Sequence, residues 1–294
     1  MGRKVAVFTI ARLTFLEVFR KKVFLVTLIL SMLFLFLYGV ALDFTAQEMV
    51  QMKSAGGSNL LIQQMIGNQL LGAGLYFSSF LIALLALMAS VGSISSEIES
   101  GLLHAIVSKP IQRRDIVLGK LSGYGLMLAS YAIFLYTAIL LINHHYNPGI
   151  FNLSTAVSIL LGAVIFILQP LVLLSLAMVF STFLRTMTAG ILSIILYGLG
   201  MVGGFLEQIG SAISNSTLIN IGIISSLVMP SDALFRKLLA EVTGSDANPL
   251  AVLSISMGPF GVSAPPSNVM LGYTIFYIFV CVLLTIQIFK KKDL

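Results

Sequence analysis

The sequence predicts an all-α polytopic membrane protein with six transmembrane helices, and three observations carry that prediction. Charged residues make up only 10% of the 294-residue chain while hydrophobic ones make up 58%, whereas a soluble domain carries about 25% charged residues. Six long runs contain no Asp, Glu, Lys, Arg or His: Val23–Leu42, Leu70–Ile94, Leu121–Ile142, Ser154–Phe180, Thr188–Phe205 and Leu271–Phe289. The basic residues between these runs fall almost entirely on one side. A soluble globule has too little polar surface to cover so much apolar side chain. The lone cysteine, Cys281, excludes a disulfide scaffold, and the apolar content excludes disorder over most of the length.

Taken in order, residues 1–22 precede the first span. Within them, 5–20 plot as an amphipathic helix whose Val7, Phe8, Ala11, Phe15, Val18 and Phe19 form an apolar arc, with Thr9, Arg12 and Arg20 lying opposite. Such a helix is expected to lie along a membrane surface. The run from Val23 matches the roughly 20 residues that a bilayer requires, is too long for a signal-peptide core, and is expected to be retained. Residues 23–294 are therefore expected to form one six-span domain. A further stretch, 214–229, is short for a span and is interrupted by Asn215 and Asn220. It is expected to be a re-entrant or surface helix.

Charge sets the direction. Six spans put on the side of the termini Arg3, Lys4, Arg12, Arg20, Lys21, Lys22, Lys109, Arg113, Arg114, Lys120, Arg185 and Lys290–Lys292, leaving Lys53, Arg236 and Lys237 on the other. The positive-inside rule then places both termini in the cytoplasm and the chain in the cytoplasmic (inner) membrane. A seventh span would put Lys290–Lys292 outside. The same sorting accounts for the net charge of +6 without any nucleic acid.

Loop 206–270 opens outward. It contains Pro230-Ser231-Asp232 followed by a short helix, capped by Ser231 or Asp232, with Leu234, Phe235, Leu238, Leu239 and Val242 on one stripe. Thr243-Gly244 ends this helix, and Pro249, Pro259, Pro265 and Pro266 prevent a continuous helix up to the last span.

Several chemistries lack their residues. No G-x-x-x-x-G-K-[ST] run is present, and Gly198-x-Gly200-x-x-Gly203 lies inside an apolar span without a preceding strand, so no nucleotide fold is expected. Gly200-x-x-x-Gly204 and Gly119-x-x-x-Gly123 read as sites of close helix packing. His144-His145 reads as an external turn rather than a metal site. No catalytic constellation, metal site or cofactor is expected in the chain. The spans hold no ionisable residue of the kind that ion-coupled transport uses. Gln169, beside Pro170 halfway along the fourth span, either lines a path or satisfies a backbone kinked by the proline.

Residues 95–120, SSEIESGLLHAIVSKPIQRRDIVLGK, concentrate charge next to apolar helix. Glu97 and Glu99 lead a short helix through Ile98, Leu102, Ala105 and Ile106, which Lys109-Pro110 ends. A second helix starts near Gln112 and enters the third span. A helix–Pro–helix elbow at the inner membrane face is expected. An ordinary basic loop would read the same on these grounds.

This loop resembles that of the ABC-2 type permeases of ATP-binding cassette exporters, E-x-E-x-G-T-L, then apolar residues, a proline, an arginine and I-L-L-G-K. Here Glu97, Glu99, Gly101, Leu103, Pro110, Arg113, Ile116, Leu118, Gly119 and Lys120 stand at matching spacing, with Leu102 where threonine is usual. Pro230-Ser231-Asp232 and Arg236 resemble the P-[ST]-D-x-x-[FWY]-R run of permeases of the nitrous-oxide-reductase maturation and sodium-efflux type. The resemblance implies a transmembrane subunit, homodimeric or heterodimeric, docked on two separate ATPase subunits that hold ATP and Mg. It makes 95–120 the coupling helix, with Glu97, Glu99, Arg113 and Arg114 as contacts and Gly101 and Pro110 shaping the bend, and 1–22 the connecting helix. Outward export of an unidentified substrate is the function it implies, and spans that supply Ser, Thr, Tyr and Met rather than charge suit an apolar or amphipathic cargo. The alternative is a non-pumping subunit that transmits force or signal to an extracytoplasmic partner through loop 206–270.

Overall fold

Hydrocarbon offers no partner to a peptide N–H or C=O, so a chain of this composition must satisfy its backbone within helices. The computed structural model describes residues 3–54, 60–101, 112–146, 156–243 and 265–292, and the regular secondary structure among them is entirely helical. In chain order the helices are α1 (Arg3–Arg20), α2 (Lys22–Ser54), α3 (Leu60–Ser90), α4 (Ser95–Glu99), α5 (Arg113–Tyr146), α6 (Ala156–Phe183), α7 (Thr186–Ala212), α8 (Ser216–Val228), α9 (Ser231–Thr243) and α10 (Asn268–Lys291). Among the described residues six helices are long and apolar enough to cross a membrane: α2, α3 with its continuation into α4, α5, α6, α7 and α10. Each overlaps one of the uncharged runs.

The bundle is organised around α6, which touches α3, α5, α7, α9 and α10. Ile82 and Leu85 of α3, Leu135 of α5 and Phe166 and Leu174 of α6 are fully buried. By contrast Leu25 and Phe36 of α2, Leu199 of α7 and Phe276 of α10 are exposed, as lipid-facing side chains should be. Lipid is as apolar as leucine, so polar contacts and close packing hold the helices together. The hydroxyl of Tyr131 on α5 meets Ser31 and the carbonyl of Thr27 on α2. Asn143 Nδ2 donates to Tyr38 Oη over 3.0 Å, and the Tyr136 hydroxyl donates to the Ile159 carbonyl over 2.9 Å.

The stretch expected to be re-entrant or superficial forms the first arm of a bent helical pair, the geometry of a re-entrant loop or a broken span. Helices α8 and α9 meet at Met229-Pro230 with a bend of 102°. Along α7, Gly210 faces Ile219, Gly203 faces Ser225 and Gly200 faces Met229, so α8 runs inward to the middle of α7. Val242, near the end of α9, lies against Gly162 in the first turns of α6. Both ends of the hairpin therefore lie by the start of α6 and the end of α7, and its tip is at mid-bundle. Such backbone survives only where protein satisfies it. Asn215 Oδ1 accepts from the amides of Thr217 and Leu218 at the start of α8. Tyr273 and Tyr277 of α10 donate to the carbonyls of Leu227 and Val228 at its end. Glycines at 200, 203 and 204 make room: a Cβ at Gly204 would lie 1.7 Å from Asp232 Oδ2. The packing expected of Gly200 and Gly204 is thus directed at the hairpin.

Four expectations change. The helix at 231–243 was expected to bury one stripe, but it is buried on every side, including Arg236 and Lys237, because its charges are paired. Its N-cap position is Pro230, whose carbonyl accepts from Leu234 N–H, not Ser231 or Asp232. The apolar arc of α1 is divided: Ala11 and Val18 turn toward protein while Phe8 and Phe19 are exposed. The Gly119-x-x-x-Gly123 seam seats α1, since a Cβ at Gly119 would lie 2.7 Å from Ile10, and one at Gly123 would lie 2.6 Å from the Ala11 carbonyl. His144 and His145 belong to the last turn of α5 rather than to a turn outside it. Residues 102–111, including Leu103 and Pro110, and the prolines at 249 and 259 lie outside the described residues.

Gly204→Ala should cost about 1–3 kcal/mol by overpacking. Gly198→Ala, where nothing lies within 4 Å, should stay within about 0.5 kcal/mol. Thermal unfolding of the detergent-solubilised variants checks the difference.

Candidate coupling surface

The helix ends at the terminal face carry more hydrogen-bonding groups than their own turns can use. α3 continues through a turn at 91–94 into α4, which stops at Glu99 because Gly101 adopts φ +73°. A left-handed residue terminates a helix, and glycine takes that conformation without steric cost. The helix expected from Glu97 to Ile106 therefore ends ahead of Gly101, with Glu97 and Glu99 in α4, and its positions from Leu102 onward lie outside the described residues. The second arm behaves as expected: α5 begins at Arg113 and runs unbroken into the span.

The two arms are joined by Lys120. Its ammonium, almost wholly buried, lies 2.5 Å from Glu97 Oε2 and donates to the Ser93 carbonyl. Glu99 turns to the next connection, accepting from the amide and hydroxyl of Thr186 over 2.9 and 3.0 Å at the first turn of α7. A carboxylate at a helix N-terminus satisfies free amides and complements the macrodipole. Ser181, near the end of α6, accepts from the amides of Ile94 and Ser95, and Ser95 Oγ lies 2.8 Å from Thr186 Oγ1. Arg113 Nη1 donates to the carbonyls of Phe289, Lys290 and Lys292 at the end of α10. Lys292 Nζ in turn donates to the Thr182 carbonyl over 2.7 Å. One lattice thus ties α3/α4, α5, α6/α7 and α10 together, and α1 rests on α5.

Arg114 stands apart from these ties. Its Nε donates to Gln112 Oε1 over 2.6 Å and lies 3.9 Å from buried Asp115, and its side chain is 36% exposed. Outward with it face Gln112, Ser96, Ser100 and Glu99. This is a braced platform with a mixed-charge, hydrogen-bonding rim.

A second polar cluster lies at the hairpin. Arg236, 1% exposed, donates from Nε to Asp232 Oδ2 over 3.0 Å and from Nη2 to Glu207 Oε2 over 2.7 Å and to Ser226 Oγ over 3.3 Å. Lys237 pairs with Glu241 at 2.8 Å. The six apolar runs hold no charge, as expected, yet the bundle does, because α9 brings it in. Below the triad, Gln169 Oε1 accepts from Ser79 over 2.7 Å, while Gln169 Nε2 has no partner among the described residues. It faces a cavity of about 30 Å³ shared with Pro170, Tyr76, Tyr197, Ser231 and Asp232, enough for about one water. Among the described residues no three His, Cys, Asp or Glu converge as metal ligands.

Sequence reasoning missed Ser93, Ser181, Thr186 and Lys292, whose roles are to accept or donate at ends of other helices. It also missed Glu207. The available signal was spacing: Gly203, Glu207 and Gly210 share one face of α7, a notch with an acid in its floor.

Six helices long and apolar enough to cross a membrane, a bent helical pair packed against them and laced helix ends at one face define a polytopic membrane protein. Residues 8–294 match the family described as ABC-2 family transporter protein, and the chain belongs to that family. Its members are transmembrane subunits of ABC transporters that work with separate ABC ATPase subunits. No curated protein matches the chain.

Replacing Lys120 by Met should destabilise the protein by about 1–3 kcal/mol, the cost of leaving the part-buried Glu97 carboxylate and the Ser93 carbonyl without their partner. Lys120→Met combined with Glu97→Gln should recover part of that loss. A double-mutant cycle on thermal unfolding measures the coupling.

Proposed function

We propose that this chain is the permease subunit of an ATP-driven exporter that carries an apolar or amphipathic substrate outward across the cytoplasmic membrane. The observation that supports this best is the lattice at 93–120. A partner pushing on α4 or on the start of α5 moves four helical segments together, because Lys120, Glu99, Ser181 and Arg113 tie their ends to one another. Packed, laced elements pass on such a load as rigid-body movement. ATP and Mg belong to two partner ATPase subunits, and the permease pairs with a second copy or a similar chain.

In this reading the elbow residues divide into two kinds. Arg114, outward and basic, is the contact with the ATPase. Glu97, Glu99, Arg113 and Lys120 bond to neighbouring helix ends and transmit, Glu99 from an exposed position, with Gly101 shaping the bend. Both termini and the lattice lie in the cytoplasm, where the positive-inside rule puts their lysines and arginines. The hairpin with Pro230, Ser231, Asp232 and Arg236 then enters from the opposite side. Gln169 and the two tyrosines at its tip offer the polar contact of a path that is otherwise apolar.

The two kinds of residue separate experimentally. In the complex with its ATPase, Arg114→Glu should weaken co-purification by about tenfold or more, as loss of an interface arginine does. Glu99→Gln should leave co-purification intact and lower substrate flux per ATP hydrolysed in everted vesicles. ATP hydrolysis without any flux in the parent would favour force transmission to an external partner instead. A periplasmically active reporter enzyme fused after Leu294 should be inactive; activity would overturn the assigned direction.

A further inference from the structure

Beside the seam at Gly119 and Gly123, α1 and α5 leave an open groove of about 740 Å³. Its walls are apolar, with Val7, Phe8 and Phe15 on one side and Leu118 and Leu126 on the other, and Arg12 stands among them. Phe8 and Leu126 are among the most exposed large apolar side chains of the protein. Along α5 the groove reaches from Asp115 to Leu126, about 16 Å at 1.5 Å per residue. That matches one leaflet of a hydrocarbon core about 30 Å thick.

The charges around the groove favour one kind of occupant. Arg12 is exposed, and no side chain among the described residues pairs with it. Arg20 and Lys22 continue the same basic segment, whereas Lys21 is engaged by Glu17 at 3.0 Å. Asp115, the acidic member of the lining, is 3% exposed and lies 3.9 Å from Arg114 Nε, so a cation already stands beside its charge. A guanidinium beside an apolar slot of leaflet depth matches a phosphate that carries an acyl chain. We propose that this groove binds an anionic phospholipid, with an acyl chain between α1 and α5 and the phosphate on Arg12. A bound lipid would complete the contact of α1 with the bundle.

The chain has no tryptophan, so Phe8→Trp provides a single emitter at the wall of the groove. The full-length chain is reconstituted in phosphatidylcholine vesicles containing equal fractions of either phosphatidylglycerol or phosphatidylcholine with brominated chains, which quench on contact. Brominated phosphatidylglycerol should occupy the site about fivefold more strongly, as one basic residue near anionic lipid implies. Unbrominated phosphatidylglycerol should compete and inorganic phosphate should not. Adding Arg12→Ala should equalise the two lipids while leaving quenching in place. A Leu126→Trp reporter on the facing wall should repeat the pattern, which guards against a local effect of the first substitution. Equal quenching by both lipids in the chain that keeps Arg12 would overturn the proposal. So would absence of quenching by either, which would mean that a second copy of the chain or another protein fills the groove.

Discussion

The arrangement at the terminal face depends on one ammonium group. Lys120 sits where α5 enters the bundle, with its Nζ against Glu97 and the Ser93 carbonyl. A buried cation there is tolerable only if its partners stay in place. That requirement holds the turn after α3 against the start of α5, and with it Ser95, Glu99 and the left-handed Gly101. Ion pairs of this kind add little net stability compared with apolar packing. Their contribution here is geometric, since they specify how four helix ends meet.

The opposite half follows the same logic with different residues. Asp232, Arg236 and Glu207 hold α9 against α7, and Gly200, Gly203 and Gly204 bring the hairpin close enough for the carboxylate to reach. Both clusters contact α7, whose first turn receives Glu99 and whose far end supplies Glu207. In the proposed mechanism α7 is therefore the element through which movement of the elbow reaches the hairpin and the cavity at its tip.

Much of this architecture was legible in the sequence, for reasons that differ by element. The six spans were legible because a bilayer demands about 20 apolar residues, a constraint local to each run. The continuous entry of 113–120 into the third span was legible because Pro110 ends the helix expected before it and leaves an apolar run after Gln112, and the short, Asn-interrupted stretch at 214–229 was legible as something other than an ordinary span. The pairings were not legible. Lys120 and Glu97 stand 23 residues apart, and nothing local distinguishes a lysine facing Glu97 from one facing solvent. Arg236 read as a loop charge because its burial depends on Glu207 in another helix, and Lys237 because nothing in the stretch shows that its helix is buried on every side. The end of α4 ahead of Gly101 was hidden by apolar spacing that continues past it to Ile106.

Spin-label distances in the ATPase complex test the mechanical account most directly. With Cys281 replaced by Ala, labels at positions 112 and 291 report within the lattice, and labels at 112 and 216 report between the elbow and the outer end of the hairpin. Each doubly labelled chain is diluted with unlabelled chain to isolate distances within one subunit. On ATP binding the account predicts an unchanged distance within the lattice and a shifted distance between its two ends. A lattice distance that moves or broadens while the end-to-end distance stays fixed would contradict it, because the elbow would then be yielding locally instead of carrying its helices with it.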